Sequence, residues 1–207
     1  MPEFYTILLE EDFTNNKIVC TPGLNELTTE FISRSSKHTG FFISKRTDLA
    51  YRLCDTYNDH LKYFSHVVIP DDAKQTVAMK GLHVDKVILT KLEPIENFDW
   101  NINDCKINGM ALKFIKEQTV EICMEAVKNN GYALQFVKTQ TPEICMTAVK
   151  NLEWALSFVK DQTPEMCLEA VKANGQTLCL VKTQTPQICT AAVRQTYEAL
   201  KFIKKVL

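Results

Sequence analysis

Cysteine is the residue type in this 207-residue chain best suited to chemistry, and four of the eight stand at a fixed interval: Cys123, Cys145, Cys167 and Cys189 are 22 residues apart. A structural zinc site needs about four Cys or His ligands converging on one point, usually with a pair two to four residues apart. No two cysteines here are that close. A disulfide needs Cα atoms within about 7 Å, whereas stacked helical repeats sit roughly 9–10 Å apart. Members of the column are therefore neighbours too distant to bond. What remains is cysteine as a small buried apolar side chain, a role it fills well. Reduced thiols are expected, with no metal and no cofactor.

The other reactive side chains form no constellation. His38, His60, His66 and His83 are scattered, with no H-E-x-x-H pair. Phosphate-loop, dinucleotide and hydrolase-elbow glycine motifs are missing from the sequence. Asp71-Asp72 follows Pro70 and reads as a turn or helix-capping element. Two basic columns share the 22-residue interval: Lys116, Lys138, Lys160, Lys182 and Lys204, and Lys128, Lys150, Lys172 and Arg194. A basic ridge is one way to hold a polyanion. Acidic residues balance it, the net charge is -1, and no aromatic ladder interleaves the lysines for base stacking. The other reading is that each lysine ends a helix, where the dipole favours a cation. Nucleic acid is not an expected partner.

These columns must be positioned by a repeated element. One unit reads TPEICMTAVKNLEWALSFVKDQ, starting at Thr141. Thr141 suits a helix N-cap, Pro142 the first helical position, and Glu143 the positive end of the dipole. Ile144, Cys145, Ala148 and Val149 make one apolar stripe, and Lys150 closes the helix. A break follows, clearest at Asn130-Gly131 and Asn174-Gly175, where a left-handed cap is expected. A second apolar stripe then begins, as in Ala133, Leu134, Phe136 and Val137. Each unit is thus a pair of helices of about ten residues or fewer, stable only when stacked.

Residues 1–95 carry no such repeat. Phe4–Leu9, Gly40–Ser44, Tyr63–Ile69 and Val84–Leu89 are strand-like, and Leu49, Ala50, Leu53 and Cys54 have helical spacing within Thr47–Tyr57. The predicted class is α+β: a small mixed head domain over 1–95, then an all-α solenoid of about five helix pairs over 96–207, opened by a degenerate helix near Asn97–Lys106.

Positions that vary inside a regular repeat are free of the packing that dictates the rest. Met110, Tyr132, Trp154, Gln176 and Glu198 form one such column; Lys113, Gln135, Ser157, Cys179 and Lys201 form another three residues on, hence on the same face. Tyr132 and Trp154, flanked by Gln135 and Ser157, fit a partner-binding hot spot. They fit equally well as rings covering the seam between repeats. At the C-terminal end, Phe202, Ile203, Val206 and Leu207 leave an apolar face without a polar capping repeat, which predicts self-association, for instance as a homodimer.

The unit NNGYALQFVKTQTPEICMTAVK resembles an uncharacterised 22-residue helical repeat of giant amoeba-infecting viruses and some protists. Gly40–Leu89, through Ile69-Pro70-Asp71-Asp72-Ala73 and Asp85-Lys86-Val87-Ile88-Leu89, is similar to an N-terminal domain that precedes repeat arrays in such viruses. The resemblance implies a large-DNA-virus protein with a head domain and a repeat tail, and brings no activity or catalytic residues. The start, MPEFYTILLEEDFTNN, lacks a basic region followed by an apolar core, and no apolar run reaches the roughly 18 residues of a membrane span. The expected place is the host cytoplasm, including the viral factory, or the virion. The first functional expectation is a non-enzymatic protein–protein interaction module whose solenoid binds a viral or host protein. The alternative is a nucleotide-using transferase in the head domain, with Gly40, Phe41, Ser44, His38 and His83 as the residues to suspect and the solenoid selecting targets.

Overall fold

Threonine opens each full-length helix of the C-terminal half. The helices are α1 (Ile102–Ile107), α2 (Val120–Asn129), α3 (Pro142–Asn151), α4 (Pro164–Ala173) and α5 (Pro186–Gln195). In the computed structural model, which describes residues 5–10, 14–15, 18–20, 22–26, 41–45, 61–78 and 81–204, the chain divides into two compact units, Met1–Asp99 and Trp100–Leu207. In the second unit, Thr119, Thr141, Thr163 and Thr185 are N-caps. Their hydroxyl oxygens accept from the backbone N–H three residues on, at 3.2 Å for Ile122 and 3.3 Å for Ile144, Met166 and Ile188. These bonds satisfy donors that the first helical turn cannot. The shorter α1 is capped reciprocally by Asn101 and Asp104, an arrangement that satisfies two such donors at once. Cys145, Ala148 and Val149, with their counterparts in the neighbouring helices, form the buried stripe.

After a short 3₁₀ turn, η1 (Ile95–Asn97), the second helix of each unit is a 3₁₀ helix of six residues: η2 (Gly109–Phe114), η3 (Gly131–Phe136), η4 (Glu153–Phe158), η5 (Gly175–Leu180) and η6 (Tyr197–Phe202). A 3₁₀ helix rises about 2.0 Å per residue against about 1.5 Å for an α-helix. Six residues therefore return the chain along most of a ten-residue α-helix, which makes a 22-residue period possible.

The expected left-handed cap is not formed. Asn130, Leu152, Asn174 and Thr196, which join each α-helix to its 3₁₀ partner, are extended, with φ between -150° and -148°. The asparagines instead cap the start of the 3₁₀ helix. Oδ1 of Asn108, Asn130 and Asn174 accepts from the N–H two residues on, each at 3.0 Å.

Glycine is there for closeness. A Cβ on Gly131 would lie 2.7 Å from the Ala148 carbonyl oxygen, and on Gly109 and Gly175 it would lie 2.2 and 2.4 Å from those of Ala126 and Ala192. Each of these glycine N–H groups donates to a side-chain amide of the next helix: Gly109 to Asn129 (2.7 Å), Gly131 to Asn151 (2.6 Å) and Gly175 to Gln195 (2.7 Å). Asn129 and Asn151 return the contact by donating to the carbonyls of Lys106 and Lys128. This is one edge of every close seam.

The other edge is held by a glutamine. Nε2 of Gln118 donates to the carbonyls of Leu112 (3.4 Å) and Phe136 (2.9 Å), while its Oε1 accepts from the backbone N–H of Lys138 (3.0 Å). Gln140, Gln162 and Gln184 do the same for their own units: Nε2 donates to the carbonyls of Phe158, Leu180 and Phe202, and Oε1 accepts from the N–H groups of Lys160, Lys182 and Lys204.

The first unit is built of antiparallel strands: β1 (Tyr5–Glu10), β2 (Thr14–Asn15), β3 (Ile18–Val19), β4 (Gly23–Glu26), β5 (Phe41–Lys45), β6 (Leu61–Val68), β7 (Gln75–Ala78), β8 (Gly81–Val84), β9 (Lys86–Leu89) and β10 (Glu93–Pro94). The main sheet runs β4-β9-β6-β1-β5-β8-β7, with β10 also on β6; β2 and β3 pair separately. Together with the helical repeats this is an α+β chain. Its core face gathers Cys20, Phe41, Ile43, Val67, Val84, Val87 and Leu89. The expected helix over Thr47–Tyr57 lies outside the described residues. Val84–Leu89, read from the sequence as one strand, is broken at Asp85 into the ends of β8 and β9.

Asp71-Asp72 makes the expected turn, closed by the Ala73 N–H donating to the Pro70 carbonyl at 2.9 Å. It also does something no local pattern announces. Asp72 accepts from Lys86 Nζ at 2.5 Å, Glu26 lies 3.2 Å from the same nitrogen, and Asp85 accepts from the Lys74 N–H at 2.8 Å. The two stretches 69–73 and 85–89 are thus tied to each other. The hydrogen bond from Lys86 holds the Asp72 carboxyl below its ordinary range, and the same bond, then that to Glu26, holds the Lys86 ammonium above its own. Glu26 brings β4 into the same cluster.

Replacing Gln140 with leucine keeps the volume but strands the Phe158 carbonyl and the Lys160 N–H. The expected loss is about 2 kcal/mol of unfolding free energy, read by urea denaturation followed by circular dichroism, with helix content of the folded state unchanged.

Candidate interaction surface

The cysteine column sits where packing places it, and it makes one polar contact. Cys123, Cys145 and Cys167 are buried and Cys189 half-buried. Each thiol donates weakly to the Oε1 of the glutamine five residues before it, at 3.7, 3.5, 3.7 and 3.8 Å from Gln118, Gln140, Gln162 and Gln184. Burial raises the thiols of Cys123, Cys145 and Cys167 above their ordinary range. Burial first, then the neighbouring Asp104 charge, pushes Cys105 up to about 12. At neutral pH these groups are protonated, and a thiol is a poor nucleophile. Among the described residues no group of three or more His, Cys, Asp or Glu side chains is placed to hold a metal ion.

The first lysine column is used inside the array. Nζ of Lys160 donates to the carbonyl of Lys138 (3.3 Å), and that of Lys204 to Val181 (2.8 Å) and Lys182 (3.3 Å). Lys138, Lys160, Lys182 and Lys204 so bind carbonyls just past the 3₁₀ helix of the preceding unit, rather than only facing a helix dipole. The second column, Lys128, Lys150, Lys172 and Arg194, lies in the last turns of α2 to α5.

The second basic column is exposed, and the variable columns also reach the surface. Tyr132 on η3 is 41% exposed, yet its ring edge also meets Phe158 of η4, with centroids 6.1 Å apart and planes at 77°. The tyrosine therefore covers a seam and presents a surface at once. Trp154, the next member of its column, is half-buried. Gln135 and Ser157 are exposed, but each bonds back to its own helix: Gln135 Nε2 to the Tyr132 carbonyl (3.0 Å) and Ser157 Oγ to the Trp154 carbonyl (2.8 Å). These two hold the aromatic residues' backbone.

At the end of the array, Ile203 is 40% exposed and Phe202 half-buried, with the Lys201 ammonium 5.0 Å from its ring centre. Val206 and Leu207 lie outside the described residues. Two exposed members were missed from the sequence, Tyr197 and Leu200. Leu200 is 42% exposed where Leu112, Leu134, Leu156 and Leu178 are fully buried. Those four are covered by the next α-helix, and no further helix follows η6 among the described residues.

In the first unit, two of the residues suspected of transferase chemistry share one face of the adjoining strands β5 and β8. His38 and Gly40 lie outside the described residues. Phe41 is part of the core, while Ser44 and His83 are buried on the opposite side of the sheet. What the sequence did not reveal is an exposed aliphatic row. Leu24, Ile88 and Val68 are paired directly across β4, β9 and β6, and all three are exposed. The stretches holding Val68 and Ile88 were legible as strands, but the strand holding Leu24 and the order in which the three adjoin were not.

A family model described as a domain of unknown function, DUF4116, matches residues 104–141 and again 120–163. The two matches end at Thr141 and Thr163, equivalent N-caps one repeat apart. No curated protein and no solved structure matches the chain. No helix among the described residues is long and apolar enough to cross a membrane.

The buried thiols set an expectation for alkylation. With iodoacetamide at neutral pH, exposed Cys179 is labelled first, and Cys105, Cys123, Cys145 and Cys167 react at least about tenfold more slowly until the protein is unfolded, as read by peptide mass mapping.

Proposed function

We propose that this chain is a non-enzymatic interaction protein whose helical array binds a protein partner through the face bearing Tyr132 and Trp154. One observation carries the reading. Glutamine, cysteine, asparagine and the first lysine columns are engaged by bonds within the array, the second lysine column is exposed and uniformly basic, and among the variable columns two neighbouring members are aromatic. Such rings on a rigid support are the usual anchors of protein interfaces. The Leu24–Ile88–Val68 row offers a second apolar contact on the other unit. The sequence resemblance supports a setting in a large DNA virus of amoebae, in host cytoplasm or virion.

The test compares proteins captured from infected cells by the wild-type chain and by Tyr132→Ala/Trp154→Ala, after confirming that both melt alike. A partner retained by wild type and lost with the double variant is the expected result. An unchanged set of partners sinks the reading.

We also propose self-association through the end of the array, on the exposure of Leu200 and Ile203 where equivalent side chains are buried. Light scattering over a concentration series is expected to show mass rising above that of one chain, and Leu200→Ser/Ile203→Ser to hold it there.

A further inference from the structure

One seam of the array is stitched along a single edge. Between the pair α3/η4 and the pair α4/η5 the glutamine edge is complete. Gln162 Nε2 donates to the carbonyls of Leu156 (3.1 Å) and Leu180 (3.0 Å), its Oε1 accepts from the Lys182 N–H (2.9 Å), and Lys182 Nζ donates to the Val159 carbonyl (3.1 Å).

At the glycine edge three residues depart from the repeat together. Leu152 stands where the capping asparagine belongs, Glu153 where the glycine belongs, and Ala173 where the clip amide belongs. The three changes are one change in physical terms. A residue with a Cβ at position 153 would collide with the Ala170 carbonyl at the spacing that Gly131 keeps from Ala148, so the helices must stand further apart. An amide at 173 would then have nothing within reach, and Ala173 carries none. Consistent with this, α3 and α4, and likewise η4 and η5, pack less closely than the neighbouring helix pairs. In place of the clip is one contact between side chains: Asn174 Nδ2 donates to Glu153 Oε1 at 3.3 Å. At 3.3 Å this half-buried bond is longer than the clips it replaces, and correspondingly weaker.

We propose that this seam is a hinge. Residues 102–158 and 164–202 are two rigid blocks that rotate about the Gln162 edge, with the Glu153–Asn174 bond as its latch. Trp154, immediately after Glu153, sits at the opening side, so rotation changes how much of its ring is presented and how far it stands from Gln176, the next residue of its column. The hinge rests on the seam's bonding and stands whether or not Tyr132 and Trp154 bind a partner.

Hydrogen exchange on the full chain tests it. The Ala155 and Ala133 N–H groups make equivalent bonds of 2.9 Å, to Leu152 and Asn130, and so report on local opening rather than on bonding. Ala155 and Leu156 are expected to exchange at least about tenfold faster than Ala133 and Leu134. Glu153→Gly/Ala173→Asn, which rebuilds the clip, is expected to slow them to the rate of those counterparts, and neither single substitution to do so. Equal rates at the two seams of the wild-type chain would overturn the hinge, whether or not the double variant folds. A folded double variant with unchanged rates would overturn it as well.

Discussion

One side-chain amide per repeat holds successive 3₁₀ helices in register. A 3₁₀ helix of six residues ends with carbonyls that its own hydrogen bonds do not reach, and stacking such helices would bury those groups unpaired. The glutamine before each N-cap threonine answers this directly. Its nitrogen takes carbonyls from the ends of the 3₁₀ helices, and its oxygen takes the N–H just beyond the second of them. Lys138, Lys160, Lys182 and Lys204 add a bond from outside to carbonyls just past the preceding unit's 3₁₀ helix. Because unpaired buried groups are expensive, the array depends on this residue more than on any single apolar contact. The thiol beside it is a secondary donor to the same oxygen, which explains a cysteine where alanine or valine would fill similar space.

The opposite edge shows how closeness and hydrogen bonding are exchanged for one another. Where a glycine permits the α-helices to approach, an amide from the next helix clips its N–H. Where the glycine is lost, the amide is lost too, and the seam widens. The array is therefore uniformly bonded along one edge and unevenly along the other. Its glutamines, capping asparagines and first lysine column are engaged within the array.

Much of this was legible in the sequence, and the remainder was hidden for identifiable reasons. The 22-residue interval, threonine caps, proline starts and apolar stripes located α2 to α5, because each rests on local chemistry within one turn. The 3₁₀ character of the second helix was not readable: over six residues, an apolar pattern such as Ala133, Leu134 and Phe136 suits 3.0 or 3.6 residues per turn alike. Asn130-Gly131 suggested a left-handed cap because that is the local reason for such a pair; the actual reason is the carbonyl of Ala148, 17 positions away. Gln118, Gln140, Gln162 and Gln184 were as periodic as the cysteines, yet a polar residue beside a cap reads as a loop unless its partners are known. In the strand unit, apolar and β-branched runs marked Tyr63–Ile69 as a strand, but the neighbours of β6 depend on pairings such as Val68 with Ile88 that no local pattern records. The same holds for Asp72 and Lys86, whose attraction spans two separate stretches.

The clip has a consequence for how such an array can change length. Each glycine belongs to one 22-residue unit and its amide to the next, so the units are not interchangeable bricks; what is inherited together is a junction. Excising residues 120–141 would set Gly109 against Asn151 and leave a matched junction. Excising 142–163 would set Gly131 against Ala173, a glycine with nothing to clip it. Excising 164–185 would press the Cβ of Glu153 toward a helix carrying Gln195 and built for close approach. Duplication and loss of repeats in this architecture are thus governed by compatibility at the cut, and the junction at Glu153 is one that tolerates little rearrangement on either side.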